Sequence, residues 1–576
     1  MTSNSMNTKW FKPMTLWAAL LCVPALLLAG AGISRGAEEK QVQTTAERLK
    51  LGEIMYLDGL LPSGEPMKAF VTGDVPVDGT TFTCVSCHLR SGLGSIEGEV
   101  ITPPTNGRIL YEPREPYIKG FEHVPSYSNY AKYLPVRPAY TDETLATLIA
   151  AGIDPNGRSV LHVMPRYEIA GDDMDIMIEY LKALSDEPSP GVTKDEIHFA
   201  TVIVEGTDPL AVESMLLPIQ FGVDRKNALS LASKNNPRMA RMAYNMLGPD
   251  LMSKKFTLSK WILSGPPETW RSQLDAYYAA EPVFALLGGI SEGDWEPVHR
   301  FCEENRIPNL FPVVDYPVIS NTDWYTLYFS RGIRQEAEAA ARYLNTLMDL
   351  LTSDTKIVQV YRDNRRGRTL AEGFRQAWEE AGHPTAAEYI IEEGQTLSDE
   401  RLSEIVKEKS PEVLLVWDGP SAIGALEKLA EAKDRPKFIY ASATWFGDDL
   451  YAIQEPLRSQ LFMTYPYRMP QEESRFNTSL NKVLMGKPLS AYDAEALKKS
   501  YIANDMLGKA LMEMRSEYYR DFLFDTIGMM KDTYLPLFDR ITFGPGQRYA
   551  SKGCFIVQLG EGDNPRLERR SEWLIQ

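Results

Sequence analysis

Cys84 and Cys87 are separated by two residues, and His88 follows at once, in the stretch TFTCVSCHLRSG spanning 81–92. Two such thiols can close a disulfide, hold a metal, do dithiol redox chemistry or carry a covalent cofactor. The compartment discriminates between these. Lys9 and Lys12 precede an uncharged, largely apolar run from Pro13 to Ile33, and the first acids come at Glu38 and Glu39. That order predicts a secretory signal over residues 1–37, with cleavage points between Ala31 and Ala37. The run is also nearly long enough to remain as an N-terminal anchor. Cys22 lies inside it. A periplasmic or otherwise exported protein is expected, touching a membrane only through that segment.

A structural zinc needs a fourth ligand at matched spacing, and no second Cys pair supplies it. A thioredoxin-like dithiol belongs between a buried strand and a helix, whereas VPVDGTTFT before Cys84 is rich in turn residues. A short-loop disulfide is the plain alternative. In an exported chain, C-x-x-C-H has a further reading as the attachment site of one covalently bound haem c. Cys84 and Cys87 would form thioethers and His88 would become an axial iron ligand. The second axial ligand is expected from Met164, because Pro165 stiffens the loop that would aim its thioether. His162 and His123 compete for that role, with an open site as the remaining alternative. A helix is expected from Asp172 and Asp173 onward, with Met174, Met177, Ile178, Leu181 and Leu184 at helical spacing.

These features over residues 45–187 resemble a class I c-type cytochrome. The resemblance implies an all-α domain in which AERLKLGEIMYLDGL forms the first helix. Gly52 and Tyr56 would cross the last helix at Tyr180. The departure from the family is a long Tyr- and Pro-rich insert between the cysteine motif and Met164.

SDEPSPGVTKDE reads as a turn-rich junction, giving a linker at 188–196. Beyond it, apolar β-branched runs (HFATVIVEG, EPVFALLGG, IPNLFPVV, TKIVQVYRDN, PEVLLVWDG, PKFIYAS, SQLFMTYPYR) recur among amphipathic helical stretches. In RGIRQEAEAAARYLNTLMDLL, residues Ile333, Ala337, Ala340, Leu344, Leu347 and Leu351 share one helical face. Strands alternating with helices predict parallel sheets, and 197–576 exceeds one ordinary core, so two lobes are expected. The order of these phrases resembles a type I periplasmic binding protein of the branched-chain amino-acid receptor kind. ITFGPGQRYASKGCFIVQL is similar to the closing hairpin of that family. The resemblance implies an interlobe cleft touched by loops at strand C-termini. Those loops contain Ser291, Asp315, Tyr316, Asp418 and Trp445. Asp315 would repel an amino-acid carboxylate, so a cleft used only for protein docking is the alternative. Cys302 and Cys554 are either buried thiols or a disulfide, and His198, His299 and His383 are expected to be structural.

Five cysteines in 576 residues exclude a disulfide scaffold, and a net charge of −17 disfavours nucleic acid and anionic lipid as partners. A single C-x-x-C-H argues against a dihaem peroxidase, and no other catalytic constellation stands out. The leading expectation is a monohaem electron carrier that meets other redox proteins, with the fused domain used for docking or ligand binding. The alternative is a small-solute receptor whose haem senses redox state or gas.

Overall fold

The N-terminal segment runs α1 (Thr45–Asp58), β1 (Lys68–Val71), β2 (Val75–Asp78), α2 (Cys84–His88), β3 (Ser95–Glu97) and β4 (Val100–Thr102). It continues through α3 (Asp142–Ala151), β5 (Arg166–Glu168) and α4 (Asp172–Ala183). The computed structural model describes residues 43–115, 134–347, 355–484, 486–530, 535–543 and 547–575. The expected signal, Cys22, His123 and Leu351 lie outside them. Arg48–Gln576 form one unit, to which everything below belongs.

The expectation of an all-α segment needs correcting. β1 pairs antiparallel with β2 and with β5, and β3 pairs with β4. Gly73 and Asp74 take φ of 82° and 60°, the left-handed backbone that lets the chain reverse tightly between β1 and β2. The helix crossing is as the sequence suggested. A Cβ on Gly52 would lie 2.4 Å from Tyr180 Cβ, so α1 and α4 meet only because that position is glycine. The Tyr56 and Tyr180 rings pack at 5.5 Å, and Arg48 on α1 pairs with Asp172 and Glu179 of α4 at 2.9 and 2.8 Å.

Lobe 1 is a parallel sheet of β6 (Glu196–Val204), β7 (Lys255–Leu263), β8 (Ala285–Leu287), β9 (Ile290–Ser291), β10 (Asn309–Leu310), β11 (Val313–Val314) and β12 (Thr326–Leu327). The order is β11-β9-β6-β8-β10-β12, with β7 also on β6. Four helices matter for the site: α5 (Pro209–Asn235), α6 (Arg334–Thr346), α7 (Ala494–Met514) and α8 (Arg520–Gly528). Lobe 2 holds β13 (Ile357–Arg362), β14 (Ala387–Ile391), β15 (Val413–Trp417), β16 (Phe438–Ser442) and β17 (Leu461–Tyr465) in parallel. The C-terminal β18 (Gly553–Leu559), β19 (Leu567–Arg569) and β20 (Leu574–Ile575) close that sheet antiparallel. The apolar runs become strands because both faces of these sheets are covered; β15, VLLVW, is buried throughout. This is the two-lobed α/β architecture expected.

The stretch 188–196 is bonded to lobe 1. Ser189 N–H donates to Tyr518 O at 3.3 Å, Arg520 N–H donates to Ser189 Oγ at 2.9 Å, and Val192 bridges Ile197. Leu93 and Ile109 enter the same core as Phe199, Phe284 and Leu523. Around them Arg306 forks onto Glu53 at 2.8 and 2.7 Å, and Arg108 pairs with Glu517. Buried apolar contact with a charged rim makes this joint a fixed one.

Candidate functional site

A cavity of about 360 Å³ opens between the lobes, where strand ends and helix starts converge. Lobe 1 contributes Glu292 after β9, Asp315 after β11 and Ser330 and Gly332 after β12, joined by Glu495 and Lys499 from α7. Lobe 2 contributes Arg366, Thr444 and Tyr467.

Asp315 opens onto the cavity with 46% of its side chain accessible, and its nearest cation is Arg366 at 4.0 Å. Partial desolvation inside the cleft, then the nearby Glu495 carboxylate, raise its pKa against the pull of Lys499 and Arg366. Glu336 is buried beneath the cleft and accepts from Ser442 Oγ at 2.8 Å, Thr464 Oγ1 at 2.9 Å and Thr444 Oγ1. Burial raises its pKa despite those hydroxyls. Glu495 accepts from Lys499 Nζ at 2.5 Å and Tyr467 Oη at 2.6 Å. Burial works to raise the Glu495 pKa, but the Lys499 charge and these bonds hold it low.

Of the five cleft residues expected from sequence, Asp315 lines this cavity. Ser291 closes its own turn, accepting from Gly293 N–H at 3.1 Å and donating to Asp294 O at 3.2 Å. Tyr316 lies under the Arg365 guanidinium at 4.0 Å. Asp418 is fully buried in a fork from Arg362 at 2.5 and 2.8 Å. Trp445 stacks against Arg366 at 5.4 Å, behind the cavity wall. Sequence reasoning missed Glu336, Arg366, Glu495 and Lys499. The acid and base four apart in AEALKK were visible, but a rule that looks at strand ends does not reach a helix arriving from late in the chain.

The cysteine motif borders two adjoining hollows of about 470 and 50 Å³, which share Cys84, His88, Thr105, Leu110, Leu148, Met164 and Tyr167. His88 Nδ1–H donates to Pro103 O at 2.8 Å, leaving Nε2 as the ring nitrogen free to ligate. Burial lowers the His88 pKa to about 4 and keeps the ring neutral. Tyr56 Oη donates to Leu89 O at 2.7 Å, Ser95 Oγ to Cys87 O at 2.9 Å and Tyr167 Oη to Phe82 O at 2.6 Å. These three bonds hold the motif's backbone on both sides. Met164 lines both hollows, whereas His162 lines neither and is exposed.

None of the four described cysteines forms a disulfide, so Cys302 in lobe 1 and Cys554 on β18 do not pair. His198, His299 and His383 are each bonded within the lobes, His299 between Tyr328 Oη at 3.0 Å and Asp323 at 2.9 Å. Among the described residues, no cluster of three His, Cys, Asp or Glu could hold a metal ion, and no helix is long and apolar enough to cross a membrane.

Comparison with known proteins bears on the two lobes. Many solved structures are similar to the chain, among them the following three. An ABC transporter substrate-binding protein from Sphaerobacter thermophilus is 14% identical, covering 66% of this chain and 98% of that one, with a TM-score of 0.49. A branched chain amino acid ABC transporter from Thermus thermophilus with bound valine is 13% identical over 66% and 97%, with a TM-score of 0.47. A leucine binding protein from Thermotoga maritima is 15% identical over 66% and 99%, with a TM-score of 0.44. No curated protein matches. The family profile described as "Periplasmic binding protein" matches residues 264–564, more than half of the 576. The chain therefore belongs to the periplasmic binding protein family.

Proposed function

We propose that the chain is a periplasmic solute receptor that takes a small ligand in the interlobe cleft and carries one covalent haem in its N-terminal segment as a redox or gas sensor. The observation that carries this reading is the interlobe cavity itself, polar and lined from both lobes, in a chain of this family. Two-lobed receptors close on ligand by hinge motion. The sequence alone put electron transfer first; the family match favours the receptor.

The N-terminal pocket fits a haem. Its wall is apolar, His88 presents a neutral Nε2 and Met164 lines the same space. A dithiol redox site needs a depressed thiol pKa, whereas burial pushes the Cys84 thiol up to about 12. When bound, the haem would supply one-electron chemistry or, at an opened axial position, gas binding. Cys84 and Cys87 would hold it covalently, His88 and Met164 would hold its iron, and the Pro103 carbonyl would orient the His88 ring. The electron-carrier reading keeps one specific support. Leu161 and Val163, beside Met164 at the pocket mouth, are 67% and 56% exposed, an apolar rim suited to a redox partner.

The test is a redox titration of the purified holoprotein, followed by visible spectra, with and without a panel of small solutes. A solute that shifts the potential or the gas-bound spectrum supports the receptor. Solutes that bind by calorimetry yet leave both unchanged favour the carrier.

A further inference from the structure

The cleft is acidic in an organised way. Six carboxylates line it, from Asp208, Glu292, Asp315, Glu336, Asp493 and Glu495, against the two cations Arg366 and Lys499. A ligand carboxylate would need a helix N-terminus, a free cation or a cluster of donors. The starts of α5 and α7 and the Lys499 charge are engaged by the chain itself, and Arg366, whose Nε has no hydrogen-bond partner among the described residues, is outnumbered by the acids around it. Asp208 caps α5, accepting from the N–H groups of Leu210 and Ala211 at 3.3 and 3.2 Å. Asp493 caps α7, accepting from Ala496 N–H at 2.9 Å, and Glu336 sits in the first turn of α6. Lys499 is bonded to Glu495 at 2.5 Å, and Arg366 donates to Thr444 Oγ1 at 3.1 Å. Asp315 is the opposite case. Among the described residues its carboxylate accepts no hydrogen bond, and it opens onto the cavity with Arg366 no closer than 4.0 Å.

We infer that the ligand is a small organic cation without a carboxylate, such as a primary or quaternary amine, seated with its charge on Asp315. This rests on the solute-receptor reading above and narrows it. A cavity of about 360 Å³ lies at the small end of ligand sites, commonly ~300–1,000 Å³. A metal ion is disfavoured because no three ligating side chains come together among the described residues. An amino acid of the leucine type is disfavoured because its carboxylate would meet a wall of like charge.

The experiment is isothermal titration calorimetry of the full-chain holoprotein at low salt with putrescine, choline, leucine and acetate. Putrescine or choline should bind, leucine and acetate should not, and added salt should weaken binding. Asp315→Asn should weaken the cation about ten- to a hundredfold, the usual worth of a charged contact. Asp315→Glu should restore part of it, and an unchanged thermal melt shows that both variants fold. Leucine or acetate binding in the cleft would overturn this inference and leave the solute-receptor reading standing. Cation binding indifferent to Asp315→Asn would overturn the placement on Asp315. Silence from all four probes would overturn the inference, and the wider solute panel then decides the reading beneath it.

Discussion

Replacing Asp525 with asparagine should remove a pH-dependent weakness from the joint between the N-terminal segment and lobe 1. Asp525 lies on α8, 7% exposed, and accepts the N–H of Ser91 at 2.8 Å and of Arg90 at 3.4 Å. Burial is the main influence on it. Helped by Asp521 and opposed by the bonds from Ser91 and Arg90, burial lifts its pKa from 3.8 to about 7. Arg548, pressed over the Trp324 ring, joins Arg90, Glu303 and Asp521 as a charge in this neighbourhood. An acid whose pKa is higher folded than unfolded holds its proton more tightly in the folded state. Its stabilising contribution is complete below about pH 4 and is lost as pH rises through about 7. Across that whole span the loss amounts to about 4 kcal/mol, of which roughly 2–3 kcal/mol falls between about pH 5 and about pH 8.

Asparagine keeps an acceptor oxygen for Ser91 and carries no charge to desolvate. The variant should therefore gain on the wild type as pH rises, with the gap widening by roughly 2–3 kcal/mol over that interval. Urea unfolding followed by tryptophan fluorescence across pH measures it. Several transitions are expected from a chain of this size, so the one that separates the N-terminal segment is compared between the two proteins. A stability difference that stays constant with pH, or one that favours the wild type above neutrality, would refute the reasoning.

Haem should survive denaturation and acid-acetone extraction, and Cys87→Ala should yield a singly linked or haem-free product; extractable wild-type haem contradicts covalent attachment. The oxidised protein should show the weak long-wavelength sulfur-to-iron band. Met164→Ala should abolish that band and lower the potential, since a soft thioether favours ferrous iron, whereas His162→Ala should preserve it. The reverse pattern assigns the ligand to His162. Gly52→Val should destabilise the α1–α4 crossing by about 1–3 kcal/mol in a thermal melt, because its Cβ would meet Tyr180 Cβ at 2.4 Å. An unchanged melt would mean that the crossing can relax.

The strands most legible in the sequence were those buried on both faces, where an unbroken run such as VLLVW has only one sensible home. β7 was missed because it lies at an edge with one face exposed, so KFTLSKWIL mixes polar and apolar residues. Short β9 and β12, two residues each, carry no periodicity at all. Helices α1 and α4 were legible, but the β1–β2 hairpin was not, because Gly73 and Asp74 set its turn through backbone angles rather than through apolar spacing. At the cleft, strand-end reasoning found Asp315. It also selected Ser291 and Asp418, whose hydrogen bonds turn inward to Gly293 and Arg362. Nothing in their local sequence separates a carboxylate that meets an arginine from one left open to the cleft. That distinction is made by Arg362, which reaches Asp418 from a neighbouring strand of the sheet.

The same geometry brings the two candidate sites into one piece of structure. Ser330 and Gly332 line the cleft, and the chain that carries them runs back through β12 to Trp324 and Tyr325. Those rings hold the Arg90 guanidinium at 4.9 and 5.8 Å, and Arg90 also pairs with Asp521 at 3.5 Å. Arg90 is two residues from His88, and between them Leu89 takes a positive φ of 63° while its carbonyl accepts from Tyr56 Oη. Arg548 also packs on the Trp324 ring, and its own carbonyl accepts from Tyr328 N–H at 2.8 Å. A hinge that shifted the segment after β12 on ligand binding would therefore pull on a loop with little slack. A free linker would have decoupled the two sites, but residues 188–196 are bonded to lobe 1. Typical couplings of about 1–3 kcal/mol would then reach His88 through a short backbone rather than through a swing of whole domains.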